Sequence, residues 1–165
     1  MIFHVFLACH IAAGLTCVIT GIVAMLSKKQ PGRHPQFGTV YYWSLAVVFV
    51  TATGMALERW SQDYHLFLIG AVAFGSAALG YAARKIRWKG WMNFHIPGMG
   101  LSYLALLTAF YVDNGPNLPV WQRLPHLTYW LLPSAIGLPL TLRALARQSG
   151  RRTPLHVDSG KSPCR

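Results

Sequence analysis

Charged residues are scarce in this sequence. Only 12% of its 165 residues are charged, whereas 53% are hydrophobic, and average soluble domains carry about a quarter charged residues. Acidic residues are the rarest: Asp and Glu together number 4, against 15 Lys and Arg. This deficit argues against an ordinary soluble domain, and the length allows one helical bundle without a separate soluble domain.

Motifs of the common enzyme classes are also missing. The sequence holds no phosphate-binding Gly-rich loop, no nucleophile elbow and no His-Glu-x-x-His zinc motif. No acidic residue lies inside the predicted spans described below, which argues against a carboxylate-driven transporter. Cys9, Cys17 and Cys164 form no Cys-x-x-Cys pair, so we expect no disulfide. No catalytic residue is assigned, and the sequence leaves open whether the protein is an enzyme.

Long apolar runs are what the sequence does contain. About 20 mostly apolar residues cross the hydrocarbon core of a bilayer as a helix. Five segments qualify, and the last is short and holds two prolines: residues 2–26, 39–57, 66–83, 94–112 and 127–142. The predicted fold class is therefore all-α, an integral membrane bundle of five transmembrane spans. It forms one domain over residues 1–147, followed by a basic, disordered tail over residues 148–165.

Basic residues are distributed unevenly between the connections. Only Arg59 and Arg123 follow spans two and four, whereas thirteen follow spans one, three and five: Lys28, Lys29, Arg33, Arg84, Lys85, Arg87, Lys89, Arg143, Arg147, Arg151, Arg152, Lys161 and Arg165. Lys and Arg concentrate on the cytoplasmic side of membrane proteins. We therefore predict an external N-terminus and a cytoplasmic C-terminus in the cytoplasmic (inner) membrane, beside an anionic lipid leaflet. This placement explains the net charge of +11 without a nucleic-acid partner.

Histidine is the one residue type near the spans that suggests chemistry. Imidazole is costly in hydrocarbon, so His10 and His95 each need a partner. On three spans a glycine follows a histidine within four residues on the same helical face: His10 and Gly14, His34 and Gly38, and His95 and Gly98. Such glycines leave room for a flat macrocycle beside an axial ligand, or they let two helices approach closely.

Histidines paired from different helices are how a bundle holds b-type haem. His10 and His95 lie about 15–20 Å apart along the membrane normal and cannot ligate one iron together. The inner ligands would be His34 and His95, and the outer ligands would be His10 with His65 or His126. In the competing interpretation the histidines are structural and bond to backbone carbonyls. Another metal and a proton relay stay open as well.

Four short stretches, at residues 10–14, 34–41, 91–103 and 108–116, resemble a family of bacterial polytopic membrane proteins that is catalogued only as a domain of unknown function. The resemblance covers most of residues 5–145. It implies a helical bundle with histidines on several spans, and it brings no activity with it. Histidine placement alone is also similar to that of small di-haem membrane cytochromes b, which is an analogy.

Two hypotheses about function follow. The leading one is a small redox protein that carries b-type haem and transfers electrons between quinone and a partner. The alternative is a non-catalytic subunit or assembly factor of a larger membrane complex. It is favoured by the small size and by the lack of motifs and intramembrane acids.

Overall fold

Five long helices make up nearly all of the chain that the computed structural model describes, which is residues 2–119 and 123–150. They are α1 (Ile2–Leu26), α2 (Arg33–Glu58), α3 (Trp60–Ile86), α4 (Met92–Asn114) and α5 (His126–Gly150), with a short 3-10 turn at Gly115–Asn117. No strand occurs in the described ranges. The all-α prediction is confirmed, and each predicted span lies inside one helix.

Four of the helices are long and apolar enough to cross a membrane: Phe3–Leu26, Arg33–Glu58, Trp60–Ile86 and Met92–Asn117. Their large apolar side chains also face outward, as at Leu15 (61% exposed), Val50 (63%) and Leu68 (55%). Soluble monomers rarely expose broad apolar surfaces, whereas a helix in lipid must do so and satisfies its own backbone groups. These features are those of a multi-pass membrane protein.

Helix α5 differs from the prediction in length. The predicted span covered residues 127–142, but the helix runs from His126 to Gly150 and continues through Pro133 and Pro139. It also extends three residues past the predicted start of the tail at residue 148, and residues 151–165 lie outside the described part of the chain. Prolines are tolerated within membrane helices where neighbouring helices pack against them, and α5 packs along α4.

Short connections make successive helices antiparallel neighbours. A single residue, Arg59, joins α2 to α3, and α3 ends where Arg87 adopts a left-handed conformation with φ 56°. The closest packing is between α1 and α2 and between α3 and α4, followed by α4 with α5 and α2 with α3. The centre of the bundle holds Cys17, Tyr41 and Leu45, each at most 2% exposed.

Candidate functional site

His34 lies in the first turn of α2, and its imidazole reaches back to α1. The Nδ1 atom is 2.8 Å from the carbonyl oxygen of Ala24, near the end of α1. A carbonyl oxygen only accepts hydrogen bonds, so Nδ1 carries the proton and donates it. In the neutral ring the Nε2 lone pair is then available to a ligand.

His95 makes the same type of bond from α4. Its Nδ1 atom lies 2.9 Å from the carbonyl oxygen of Gly80 on α3, so this ring also donates from Nδ1 and keeps an Nε2 lone pair. A hydrogen bond from the second ring nitrogen to a backbone carbonyl is the usual way in which a metal-binding histidine is oriented. The backbone carbonyls of two different helices thus fix the tautomers of both rings.

The structure brings these two histidines together. The centroids of the His34 and His95 rings are 6.3 Å apart, and the ring planes are perpendicular. Each ring is half to mostly buried, at one end of the bundle. The two residues that were predicted to form the inner pair are thus neighbours in the structure, and their role as ligands stays a prediction.

Positive charge and an aromatic ring surround the pair. Lys29 and Arg84 lie close enough to both imidazoles to act on them electrostatically. The Lys29 ammonium donates to the carbonyl oxygens of Ala24 at 3.1 Å and of Met25 at 2.9 Å, and its partial burial lowers the pKa of this lysine. The Trp91 ring lies 5.7 Å from that of His95. Positive charge therefore lies close to the histidine pair.

The glycines beside the two histidines have different roles. A Cβ atom added at Gly38 would meet no atom within 4 Å, so open space adjoins His34 along α2. A Cβ atom added at Gly98 would lie 2.8 Å from the carbonyl oxygen of Ser76 and 3.1 Å from the Gly80 backbone. Gly98 thus serves helix packing, whereas Gly38 leaves room beside the ligand candidate.

His10 is held in a third polar contact, on α1. Its Nδ1 atom lies 3.0 Å from the Thr51 hydroxyl of α2. That hydroxyl already donates to the carbonyl oxygen of Val47 at 2.7 Å, so it accepts from His10, whose Nδ1 is again the protonated nitrogen. A Cβ atom added at Gly14, one turn later, would meet nothing within 4 Å.

The other predicted outer ligands lie in different surroundings. The His65 ring is 6.4 Å from the Trp130 ring of α5, and the His126 ring is 5.6 Å from that of Tyr129. Among the described residues no ring contact joins His10 to either of them, so the structure does not bring the outer set together as it does His34 and His95. Their role as ligands stays a prediction.

A buried polar link, about two helical turns along α2 and α4 from the histidine pair, was not predicted. The Tyr41 hydroxyl of α2 lies 2.9 Å from the Ser102 hydroxyl of α4. Ser102 donates to the carbonyl oxygen of Met99 at 2.8 Å, so its oxygen accepts the Tyr41 proton. Nothing in the local sequence pairs two residues 61 positions apart, although a Tyr and a Ser in apolar runs both require partners.

Comparison with known proteins adds no relative. No family model, no curated protein and no solved structure matches this chain. Within residues 2–119 and 123–150, no group of three or more His, Cys, Asp and Glu side chains could hold a metal ion. The iron of haem is a metal for which two imidazoles suffice as protein ligands.

Proposed function

We propose that the protein is a small membrane redox protein whose single b-type haem is held by His34 and His95. The observation that carries the proposal is the pair of carbonyl-bonded imidazoles with centroids 6.3 Å apart. Both rings donate from Nδ1 to a backbone carbonyl and keep an Nε2 lone pair, so His34 and His95 would be the residues that hold the iron.

The surrounding side chains also suit such a group. Haem carries two propionate groups, and Lys29 and Arg84 supply positive charge beside both rings. The space next to Gly38 lies on the helical face of His34. Bound haem would supply one-electron transfer, and the carbonyls of Ala24 and Gly80 would hold the two ligand rings in position.

The proposal includes five spans, with the N-terminus outside and the C-terminus in the cytoplasm of the inner membrane. The charge asymmetry of the connections supports the orientation. Helix α5 supports the fifth span, because its 25 residues reach about 37 Å at 1.5 Å per residue, which exceeds the hydrocarbon thickness. Such an orientation puts His34 and His95 near the cytoplasmic surface.

Visible absorption of the purified protein tests the haem. After expression with added haem we expect a Soret band, and its absence would overturn the proposal. A colourless protein that co-purifies with other membrane subunits in mild detergent would instead support the alternative function, a subunit or assembly factor of a larger complex, possessing no haem of its own.

A His95→Gln variant separates the ligand role from the structural one. Gln keeps a donor for the Gly80 carbonyl but is a poor ligand for haem iron. We expect a folded protein within roughly 1 kcal/mol of the parent that has lost its Soret band or shows a shifted one. His4→Gln, at an exposed histidine that is not among the predicted ligands, serves as the control and should keep the parent spectrum. Unchanged haem content in His95→Gln would exclude this residue as a ligand.

Labelling of single cysteines tests the orientation. In a background with Cys9 and Cys164 replaced by Ser, an impermeant thiol reagent added to sealed cells should label Ser61→Cys and leave Ser149→Cys unlabelled. Cys17 is fully buried and can stay. Equal labelling at both positions would contradict the five-span arrangement.

A further inference from the structure

A groove of about 320 Å³ runs along the outside of the bundle between α3, α4 and α5. Its lining includes Leu79 of α3, Pro97 and Leu101 of α4, and Leu142 of α5. Two lining side chains are polar, and the Thr141 hydroxyl already donates to the carbonyl oxygen of Gly137 at 2.9 Å. A groove with so few polar groups suits a hydrocarbon chain.

One end of this groove adjoins the basic connection between α3 and α4. Phe94 lines the groove, and its ring centroid lies 5.8 Å from that of Trp88 in the connection. Arg87 and Lys89 flank Trp88 and are both exposed. The basic connection therefore adjoins the groove through the contact between Trp88 and Phe94.

The other two cations of this segment have different neighbours. Arg84 acts on the histidine pair, and the Lys85 ammonium lies 5.8 Å from the centre of the Tyr81 ring. No acidic residue occurs between residues 64 and 112, so Arg87 and Lys89 have no carboxylate close in sequence to neutralise them. Their charge is available to an anion at the membrane surface.

We propose that the groove between α3, α4 and α5 holds an acyl chain of an anionic phospholipid whose phosphate is bound by Arg87 and Lys89. The apolar lining selects the chain, and the two cations select the negative headgroup. A neutral isoprenoid such as a quinone tail would fill the groove but would not use the cations. Neither His34 nor His95 lines this groove, so lipid binding can be tested independently of the proposed haem.

Native mass spectrometry of the detergent-purified protein tests the site with phosphatidylglycerol and phosphatidylcholine of matched chains. We expect phosphatidylglycerol to be retained roughly 10- to 30-fold more strongly, since each of the two surface cations favours anionic lipid by about fivefold. The Arg87→Gln/Lys89→Gln variant should bind phosphatidylglycerol roughly 10- to 30-fold more weakly. The matched control, Lys28→Gln/Arg33→Gln, removes the same charge from the connection between α1 and α2 and should behave as the parent.

A second variant tests the groove itself. Leu101→Trp fills the groove and should weaken retention of both lipids, whereas Leu68→Trp, at an exposed position of α3 outside the groove, should not. Equal retention of the two lipids by the parent would overturn the headgroup assignment. Retention by Leu101→Trp equal to that of Leu68→Trp would overturn the assignment of the chain to this groove.

Discussion

Helix α3 packs against its two neighbours by opposite means. Toward α4 it presents small residues, because the Gly98 backbone of α4 approaches the backbones of Ser76 and Gly80. Toward α2 it presents aromatic rings. Tyr81 stacks on Tyr42 at 4.3 Å, and the stack continues through three phenylalanines to Trp60: Phe74, Phe49 and Phe67, with successive centroids 5.3–6.0 Å apart.

We call the contact between α3 and α4 the small-residue seam and the contact between α2 and α3 the aromatic seam. Because lipid is as apolar as a leucine side chain, burial of apolar surface contributes little to helix association in a membrane, and close packing decides which helix faces meet. At the α3–α4 seam the glycines let two backbones touch, whereas at the α2–α3 seam offset ring stacking fills a wider gap. The small-residue seam also positions the site, because the carbonyl oxygen of Gly80 orients His95.

Filling the small-residue seam should have the largest effect. In Gly98→Ala the new Cβ atom would lie 2.8 Å from the Ser76 carbonyl oxygen and 3.1 Å from backbone atoms of Gly80, none of which can rotate away. We expect about 2–3 kcal/mol of destabilisation, measured by unfolding in a mixed detergent. Because the shift also moves α3 relative to α4, we further expect reduced haem content.

Gly75→Ala is the matched control for that experiment. A Cβ atom at Gly75 would meet nothing within 4 Å, so the change should cost nothing and could add up to about 1 kcal/mol through helix propensity. If the two alanine variants unfold at the same detergent concentration, close backbone approach is not what stabilises the α3–α4 seam.

Breaking the aromatic seam should cost less. Phe74→Leu keeps an apolar side chain but removes the ring that stacks between Tyr42 and Phe49. Since an aromatic pair contributes about 0.5–1.5 kcal/mol beyond its buried area, we expect a loss of about 1–2 kcal/mol. Phe110→Leu is the control, because Phe110 is 48% exposed and its ring contacts its chain neighbour Tyr111. Equal stability of the two leucine variants would contradict a stabilising role for the stack.

The sequence predicted only part of one of these seams. Of the two alternatives for the glycine after His95, close approach of two helices is what the structure has at Gly98, and the runs of apolar residues define where each helix lies. Nothing in the sequence says which faces of α2 and α3 meet, so the stacking of Phe49 on Phe74 could not be foreseen. Aromatic residues in spans suggest lipid-facing and interfacial positions equally well.

The sequence likewise predicted only part of the candidate site, namely the two histidines and not the backbone groups that orient them. The sequence predicted that His34, just before span two, and His95, near the start of span four, lie on the cytoplasmic side, and in the structure each lies in the first turn of its helix. Their partners, the carbonyls of Ala24 and Gly80, are backbone groups on other helices and have no sequence signal. Helix α5 extends beyond its predicted span because the prediction covered only the apolar run, which ends before Arg143, whereas the helix continues to Gly150.

The smallest effect should come from the polar link between α2 and α4, which belongs to neither seam. Tyr41→Phe removes the hydroxyl that donates to Ser102 and leaves the ring in the core. Ser102 keeps its bond to the Met99 carbonyl, so the change leaves no donor unpaired. Interhelical hydrogen bonds in membrane proteins average only about 0.6 kcal/mol, since the separated helices find other partners, and we expect a loss of that size.

Tyr64→Phe removes an exposed hydroxyl and provides the baseline for unfolding of Tyr41→Phe in the same detergent series. A double variant with Ser102→Ala isolates the bond itself, because the coupling energy of the two changes excludes effects on either residue alone. A coupling of about 0.6 kcal/mol would rank this link below both helix seams. A coupling above about 2 kcal/mol would instead make the Tyr41–Ser102 hydrogen bond the strongest single contact between α2 and α4. The two seams of α3 would then not be the main source of stability of the bundle.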